Sequence, residues 1–134
     1  MRLLATITLA LACLFGTPAQ AQMTQGVRTA VCDEAEQVEH FLSAWNGHNT
    51  AEAIALANNY AGKVNACQFG VWSFAVRTTY LTGQEGDEAI FNPVGKWAVV
   101  EVRVLHRHSF RGVTTYPDMP SRFAARLLQP MLSL

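Results

Sequence analysis

The sequence lacks the short motifs that mark common catalytic and nucleotide-binding sites. It contains no Gly-x-Ser-x-Gly turn, no phosphate-binding glycine loop and no Ser/His/Asp spacing typical of a hydrolase. Ten basic and ten acidic residues leave no net charge, which gives no reason to expect a nucleic-acid partner. Internal repeats, low-complexity tracts and linkers are also absent. We therefore expect no catalytic residues, no cofactor and no metal site, and binding rather than enzymatic activity.

Long apolar runs are equally scarce, and the one present lies at the N-terminus. Arg2 precedes the apolar stretch Leu3–Phe15, and Ala19-Gln20-Ala21 follows with small residues at the two positions that signal peptidase reads. We predict a cleaved signal peptide over residues 1–21, leaving 113 residues with a net charge of −1. No second run approaches the ~20 residues of a membrane helix. The mature chain is expected in the periplasm or secreted, without a transmembrane segment.

Cysteine is limited to three residues. Cys13 falls inside the predicted signal, and Cys32 and Cys67 remain as an even pair in an exported chain, which predicts a disulfide. Closing that loop stabilises the fold by roughly 3–4 kcal/mol in the chain-entropy model. A low-pKa thiol nucleophile is the alternative for this pair. Residues 10–13 loosely resemble a lipobox, so a lipoprotein anchored through Cys13 is the alternative to a cleaved, unanchored chain.

Helical patterns occupy the first half of the mature chain, after residues 22–31, which have no period and are expected to form a flexible leader. Asp33 is predicted to cap a first helix, with Glu36 completing a capping box. That helix has an apolar stripe at i, i+3, i+4, i+7 spacing, made of Val38, Phe41, Leu42 and Trp45. Thr50 is predicted to cap a second helix that ends near Gly62.

Alternating patterns typical of strands follow Gly62. We predict strands over 67–80, 89–92, 96–108 and 113–116, with a turn region over 82–87 and a turn over 109–112. In the third of these strands, one face is predicted dry (Ala98, Val100, Val102, Val104) and the other wet. The segment 121–128 suits either a strand or a short helix capped by Ser121, and the alternation favours the strand.

This order predicts an α+β fold over residues 32–130 as a single domain. Two N-terminal helices would pack on a single antiparallel sheet of about four to five strands. The disulfide would join the helical layer to the sheet, because Cys32 precedes the first helix and Cys67 begins the first strand.

The arrangement resembles small uncharacterised exported domains of Gram-negative bacteria. The residues that carry this likeness are Cys32-Asp33, Glu36-Gln37-Val38-Glu39, Ala66-Cys67 and Val99 to Val104. No activity is implied by it. A weaker likeness, through residues 41–49 and Gly95-Lys96-Trp97, is to the SnoaL-like cone fold, which implies a curved sheet and often a ligand pocket. Asn49 stands where that fold often has Asp.

Charged residues are unevenly distributed along the chain. Acidic residues without intervening basic ones occur early (Asp33, Glu34, Glu36, Glu39, Glu52), and arginines dominate later (Arg103, Arg107, Arg111, Arg122, Arg126). We expect solvated faces. The alternative is a basic patch for an anionic partner or a membrane surface.

Histidines, carboxylates and tryptophans provide the remaining candidates for chemistry. His106 and His108 share a strand face and can begin a metal site only if a third ligand, such as His40 or His48, joins them. Glu36 and Glu39 share a helix face and are expected to be solvated rather than an acid–base pair. The three tryptophans are expected in the core rather than in a stacking platform (Trp45, Trp72, Trp97), with Trp97 the most exposed.

Together these observations predict an exported, non-enzymatic domain with a protein-binding or accessory role in the cell envelope. Its expected partner is an envelope or periplasmic protein. The alternative is a SnoaL-like small-molecule-binding or enzymatic pocket. A polar-lined cavity between the first helix and the sheet favours the pocket, and a filled core favours the binding domain.

Overall fold

The computed structural model describes residues 23–78 and 89–131, which form two helices and six strands. Every strand pairing is antiparallel. The elements in chain order are β1 (Met23–Cys32), α1 (Ala35–Ala44), α2 (Thr50–Ala61), β2 (Cys67–Thr78), β3 (Ile90–Asn92), β4 (Gly95–Ser109), β5 (Gly112–Thr115) and β6 (Arg122–Pro130). The described residues therefore have an α+β architecture. The helices lie between β1 and β2 rather than at the N-terminus, and the strands number six rather than four to five.

The flexible leader predicted over residues 22–31 is wrong, because residues 23–32 form β1. This strand runs antiparallel to β2, from Met23 opposite Ala75 to Cys32 opposite Cys67. An irregularity between Thr24 and Val27 interrupts the pairing, and Gly26 adopts φ 64° within it. A bulge of this kind breaks the alternation of side chains that identifies a strand in sequence. The strand is specified by its distant partner rather than by its own pattern.

The sheet closes on itself through four strands. β1 pairs with β2, β2 pairs with the second half of β4, the first half of β4 pairs with β6, and β6 returns to β1. β3 and β5 extend the two ends of β4. The inner side of this ring is lined by one apolar cluster: Val31, Trp72, Phe74, Val76, Val100, Val102, Val104 and Ala124. A second cluster lies outside the ring, where the helices cover the sheet.

β4 is buried on both faces along its first half, which differs from the predicted dry and wet alternation. The dry face is confirmed, since Ala98, Val100, Val102 and Val104 are buried. The prediction that Trp97 is the most exposed tryptophan is wrong: it is 4% exposed, less than Trp45 at 8%. Trp97 and Val99 belong to the cluster that the helices cover. The alternation along β4 shows which residues share a face, but it does not show that the helices cover the face predicted to be wet.

The apolar stripe of α1 is confirmed, since its four residues are buried in the outer cluster. Both helix caps, however, differ by one residue from the prediction. Glu34 is the N-cap of α1, and its backbone N–H donates to Oε1 of Gln37 at 2.9 Å. Asp33 is engaged elsewhere, because its carboxylate lies 3.2 Å from the Arg122 guanidinium. Asn49, rather than Thr50, is the N-cap of α2.

The predicted disulfide is confirmed between Cys32 and Cys67. The two residues lie opposite each other where β1 ends and β2 begins. Their Cα atoms are 4.0 Å apart, and 35 positions of sequence separate them. The bond therefore joins two neighbouring strands and closes the segment that carries both helices, rather than joining the helical layer to the sheet.

The C-terminal segment is a strand, which confirms the favoured alternative for 121–128. β6 lies along β4 from Val102 opposite Arg122 to Gly95 opposite Pro130. The signal peptide predicted over 1–21, with Cys13, and the turn region predicted over 82–87 lie outside the described residues. Neither helix of the described ranges is long and apolar enough to cross a membrane.

Candidate functional site

Aromatic side chains fill the space between α1 and the sheet. Ring centroids of Trp45 lie 5.1 Å from Phe41, 5.5 Å from Phe69 and 5.4 Å from Trp97. Such separations are those of directly packed aromatic pairs. This is the space in which a SnoaL-like pocket is expected, and in this protein it is part of the core. We call these four residues the aromatic layer.

A buried asparagine fixes the aromatic layer to the turn between β3 and β4. The Asn92 side chain donates from Nδ2 to the Leu42 carbonyl at 3.1 Å. Its Oδ1 accepts from Trp97 Nε1 at 2.9 Å and from the backbone N–H groups of Val94 and Gly95. Every buried side-chain nitrogen and oxygen of the described residues has such a partner. Polar atoms in this interior are used by the fold itself.

The two strand histidines each have a hydroxyl partner. His108 Nε2 shares a 2.7 Å hydrogen bond with Ser73 Oγ, and His106 Nδ1 shares one of 3.2 Å with Thr115 Oγ1. Their ring centroids are 6.3 Å apart. Within residues 23–78 and 89–131, no group of three or more His, Cys, Asp or Glu side chains is arranged to hold a metal ion.

Ser73 and His108 form a serine–histidine contact that sequence spacing did not reveal. The serine hydroxyl also accepts from the Gly26 backbone N–H at 3.2 Å. Ser73 is 3% exposed, so its hydroxyl is held within the packed sheet. A nucleophilic serine needs an approach path for substrate as well as a base. We therefore interpret this contact as part of the pairing between β1, β2 and β4.

The other two candidate histidines lie in the helical segment, far in sequence from the strand histidines. His40 stacks on Tyr60 with ring centroids 3.7 Å apart, and thereby joins α1 to α2. His48 lies in the turn between the helices, where its backbone N–H donates to Asn46 Oδ1 at 2.8 Å. Neither contact involves the strand histidines. The structure thus leaves the four histidines in three separate settings.

Of the two helix carboxylates predicted to be solvated, Glu36 is exposed and Glu39 is half-buried. The Tyr60 hydroxyl donates to Glu36 Oε2 at 3.0 Å. The pKa of Tyr60 is raised above its ordinary value, mainly by this hydrogen bond and next by the negative charge of Glu36. The contact joins the two helices and is open to solvent.

Three cavities of the described residues open at the surface. A groove of about 480 Å³ lies along α2 and the residues that follow it. A cleft of about 160 Å³ opens beside the Asp33–Arg122 ion pair, with Trp72, Tyr116 and Met119 in its wall. A third depression, of about 230 Å³, lies where Phe91 and Lys96 meet the end of β6. None of these three is lined by the α1 stripe.

The β4–β5 hairpin presents the most exposed aromatic side chain of the described residues. Phe110 is 95% exposed in the turn, and Val113 on β5 is 58% exposed. The Arg111 guanidinium carbon lies 5.6 Å from the centre of the Phe110 ring. We call Phe110, Arg111 and Val113 the hairpin surface.

The turn over 109–112 is predicted from the sequence, whereas Phe110 is not among the predicted site residues. The available signal was a large apolar residue inside a predicted turn, where no core position exists for it. Arg107, expected on the wet face with the other arginines, is held differently. A register shift beside Ser73 brings it opposite Trp72, where its guanidinium lies 4.8 Å from the indole. It also donates to Gln68 Oε1 at 2.9 Å.

No protein-family model, curated protein or solved structure matches the chain. The resemblances to exported bacterial domains and to the SnoaL-like fold therefore stay predictions.

Proposed function

We propose that this protein is an exported domain that acts by binding a component of the cell envelope, without catalytic chemistry of its own. The N-terminal signal pattern supports export. The disulfide between Cys32 and Cys67 is in keeping with an oxidising compartment. The mature domain would act as an accessory factor, in which the fold supplies a rigid support for an exposed contact surface.

The observation that carries this proposal is the aromatic layer. A small-molecule site of the expected kind needs open volume between α1 and the sheet, lined by a few polar groups. That volume is taken by Phe41, Trp45, Phe69 and Trp97, and the polar group among them, Asn92, uses its hydrogen bonds within the fold. Binding through an outer surface is the function that remains best supported.

The hairpin surface is the strongest candidate for that contact. It combines an aromatic side chain exposed to solvent with the Arg111 guanidinium, whose carbon lies 5.6 Å from the centre of that ring. Aromatic residues and arginine are enriched where proteins bind partners. Substitutions here leave the core untouched, so they separate binding from folding.

The proposal is tested by retention of envelope components on immobilised, oxidised protein. We expect retention by the wild type and loss of retention in the double variant F110A/R111Q. The matched control is Phe91→Ala, since Phe91 is 65% exposed on a different strand and should behave like the wild type. Turnover of a small molecule by the purified protein, or a stoichiometric tightly bound metal, would overturn the proposal. Equal retention by all three proteins would exclude the hairpin surface as the contact.

A further inference from the structure

We propose that the hairpin surface docks the protein onto an anionic phospholipid bilayer. This inference rests on the proposed function, because it names the partner of the same contact surface. The juxtaposition that carries it is a solvent-exposed phenylalanine at a hairpin turn, with the Arg111 guanidinium beside its ring.

The apolar part of the surface projects from a rigid support. Ser109 pairs with Gly112 and His108 pairs with Val113, so the turn residues Phe110 and Arg111 lie beyond the last rung of the β4–β5 ladder. At 95% exposure, the Phe110 ring has almost no protein packed against it. Insertion of that ring and of Val113 into the boundary between headgroups and acyl chains would remove apolar area from water.

The charged part of the surface selects an anionic bilayer over a neutral one. From Val102 to Pro117 the chain has no acidic residue, and its exposed arginines are Arg103 and Arg111, whereas Arg107 is held against Trp72 and Gln68. The Arg111 guanidinium beside the Phe110 ring would lie near lipid phosphates when the ring is inserted. Basic residues near an anionic membrane surface each contribute to attraction, and salt weakens it.

The shape of the surface favours a bilayer over a protein. The exposed side chains stand at the end of a hairpin, and all four residues of β5 are exposed. A protein partner would need a matching acidic concavity for Phe110, whereas a fluid headgroup layer deforms around an inserted ring. An acidic protein is therefore the competing outcome of the experiment rather than the proposal.

The test measures partitioning of the oxidised full-length mature protein onto sedimented vesicles. One set contains one part phosphatidylglycerol to three parts phosphatidylcholine, and the other contains phosphatidylcholine alone. We expect binding to the anionic set only, weaker at high salt. Phe110→Ala should weaken partitioning at least about tenfold, from the apolar area it removes. Arg111→Gln should weaken it about fivefold, which corresponds to about 1 kcal/mol per basic residue.

Two control variants distinguish local from general effects. Phe91→Ala removes an exposed aromatic ring from β3, and Lys63→Gln removes a cation whose side chain is 68% exposed after α2. Both should partition like the wild type. Thermal unfolding of each variant verifies that the fold is intact, as expected for changes at exposed positions.

Each outcome decides between the inference and the function on which it rests. Equal binding to both vesicle sets, or anionic binding that Phe110→Ala leaves unchanged, would overturn the inference. Absent vesicle binding together with hairpin-dependent retention of an envelope protein would refute the bilayer and leave the proposed function standing. Absent vesicle binding together with small-molecule turnover would refute both.

Discussion

Removal of the disulfide is expected to destabilise the protein strongly, because this bond closes the segment of the described chain that carries both helices. Cys32 and Cys67 are separated by 35 positions of sequence, and the segment between them carries α1 and α2. For a loop of that length the chain-entropy model gives about 3–4 kcal/mol at room temperature. The double variant C32A/C67A should therefore lose about that much free energy of unfolding, with a small further cost for the two removed sulfur atoms.

The loss should be visible as a change in both the midpoint and the slope of denaturation. Guanidinium titration followed by tryptophan fluorescence gives the free energy of unfolding and its dependence on denaturant. Without the crosslink the unfolded chain is less compact, so the slope should rise. The melting temperature should fall by about 12 °C or more, from about 4–8 °C per kcal/mol for a domain of this size.

Chemically reduced wild-type protein is the matched control, since it lacks the crosslink and keeps both sulfur atoms. Both cysteines are nearly inaccessible, at 1% and 2% exposure, so reduction requires unfolding followed by refolding under reductant. The reduced protein and the alanine variant should have similar stabilities. A loss below about 1 kcal/mol in both would refute the argument that closure of this segment is a main source of stability.

Three further perturbations test the packing and the helix contact. Trp97→Ala should lower the free energy of unfolding by about 3–5 kcal/mol in denaturant titration, because it removes one ring of the aromatic layer and leaves a cavity. Phe110→Ala should change the free energy of unfolding by less than about 0.5 kcal/mol, and equal losses in the two variants would contradict the burial of Trp97 and the exposure of Phe110. Gly95→Ala should be destabilising by more than about 1 kcal/mol, since the added Cβ would lie 2.5 Å from a carbonyl oxygen of β6, and an unchanged melting temperature would show that the strands can separate there. Absorbance titration at alkaline pH should find that the pKa of Tyr60 lies above its ordinary value, and Glu36→Gln should lower the titration midpoint, with Y60F used to assign the signal to Tyr60. Because the pKa of Tyr60 is raised in the folded state, the contact stabilises the fold below the ordinary tyrosine range, and this stabilisation is lost as pH rises through the folded-state pKa. An unshifted midpoint in E36Q would contradict the hydrogen bond.

Local patterns predicted the elements whose side chains face one covered surface. The stripe of α1 and the dry face of β4 follow from period alone, and both are buried as expected. Cysteine count together with the signal pattern predicted the disulfide. The stripe and the dry face depend on neighbours within a few residues, and the disulfide follows because only two cysteines remain after the predicted signal peptide.

Features that depend on distant partners were not predictable from local patterns. β1 is a strand because β2 and β6 lie on its two sides, and the irregularity at Gly26 conceals its alternation. Trp97 is buried because α1 returns over the start of β4, which parity within the strand does not report. The N-cap of α1 moved from Asp33 to Glu34 because Asp33 has a distant ion-pair partner in Arg122.

The arginines of β4 and of the turn that follows it also have roles that depend on a distant strand. The late segment is rich in arginine in the sequence, yet these arginines have different roles in the fold. Arg107 is held against Trp72 and Gln68, whereas Arg111 stands beside an exposed ring. The register shift that separates these roles is set by pairing with β2. Charge counting along the chain does not report it.

The proposed function places the contact with a partner on the hairpin surface rather than in a pocket under α1. Amide hydrogen exchange of the oxidised protein, with and without envelope membranes, tests it most directly. We expect added protection over residues 105–116 and no change over 37–45 and 95–99. Added protection confined to the aromatic layer, with the hairpin unchanged, would contradict the account.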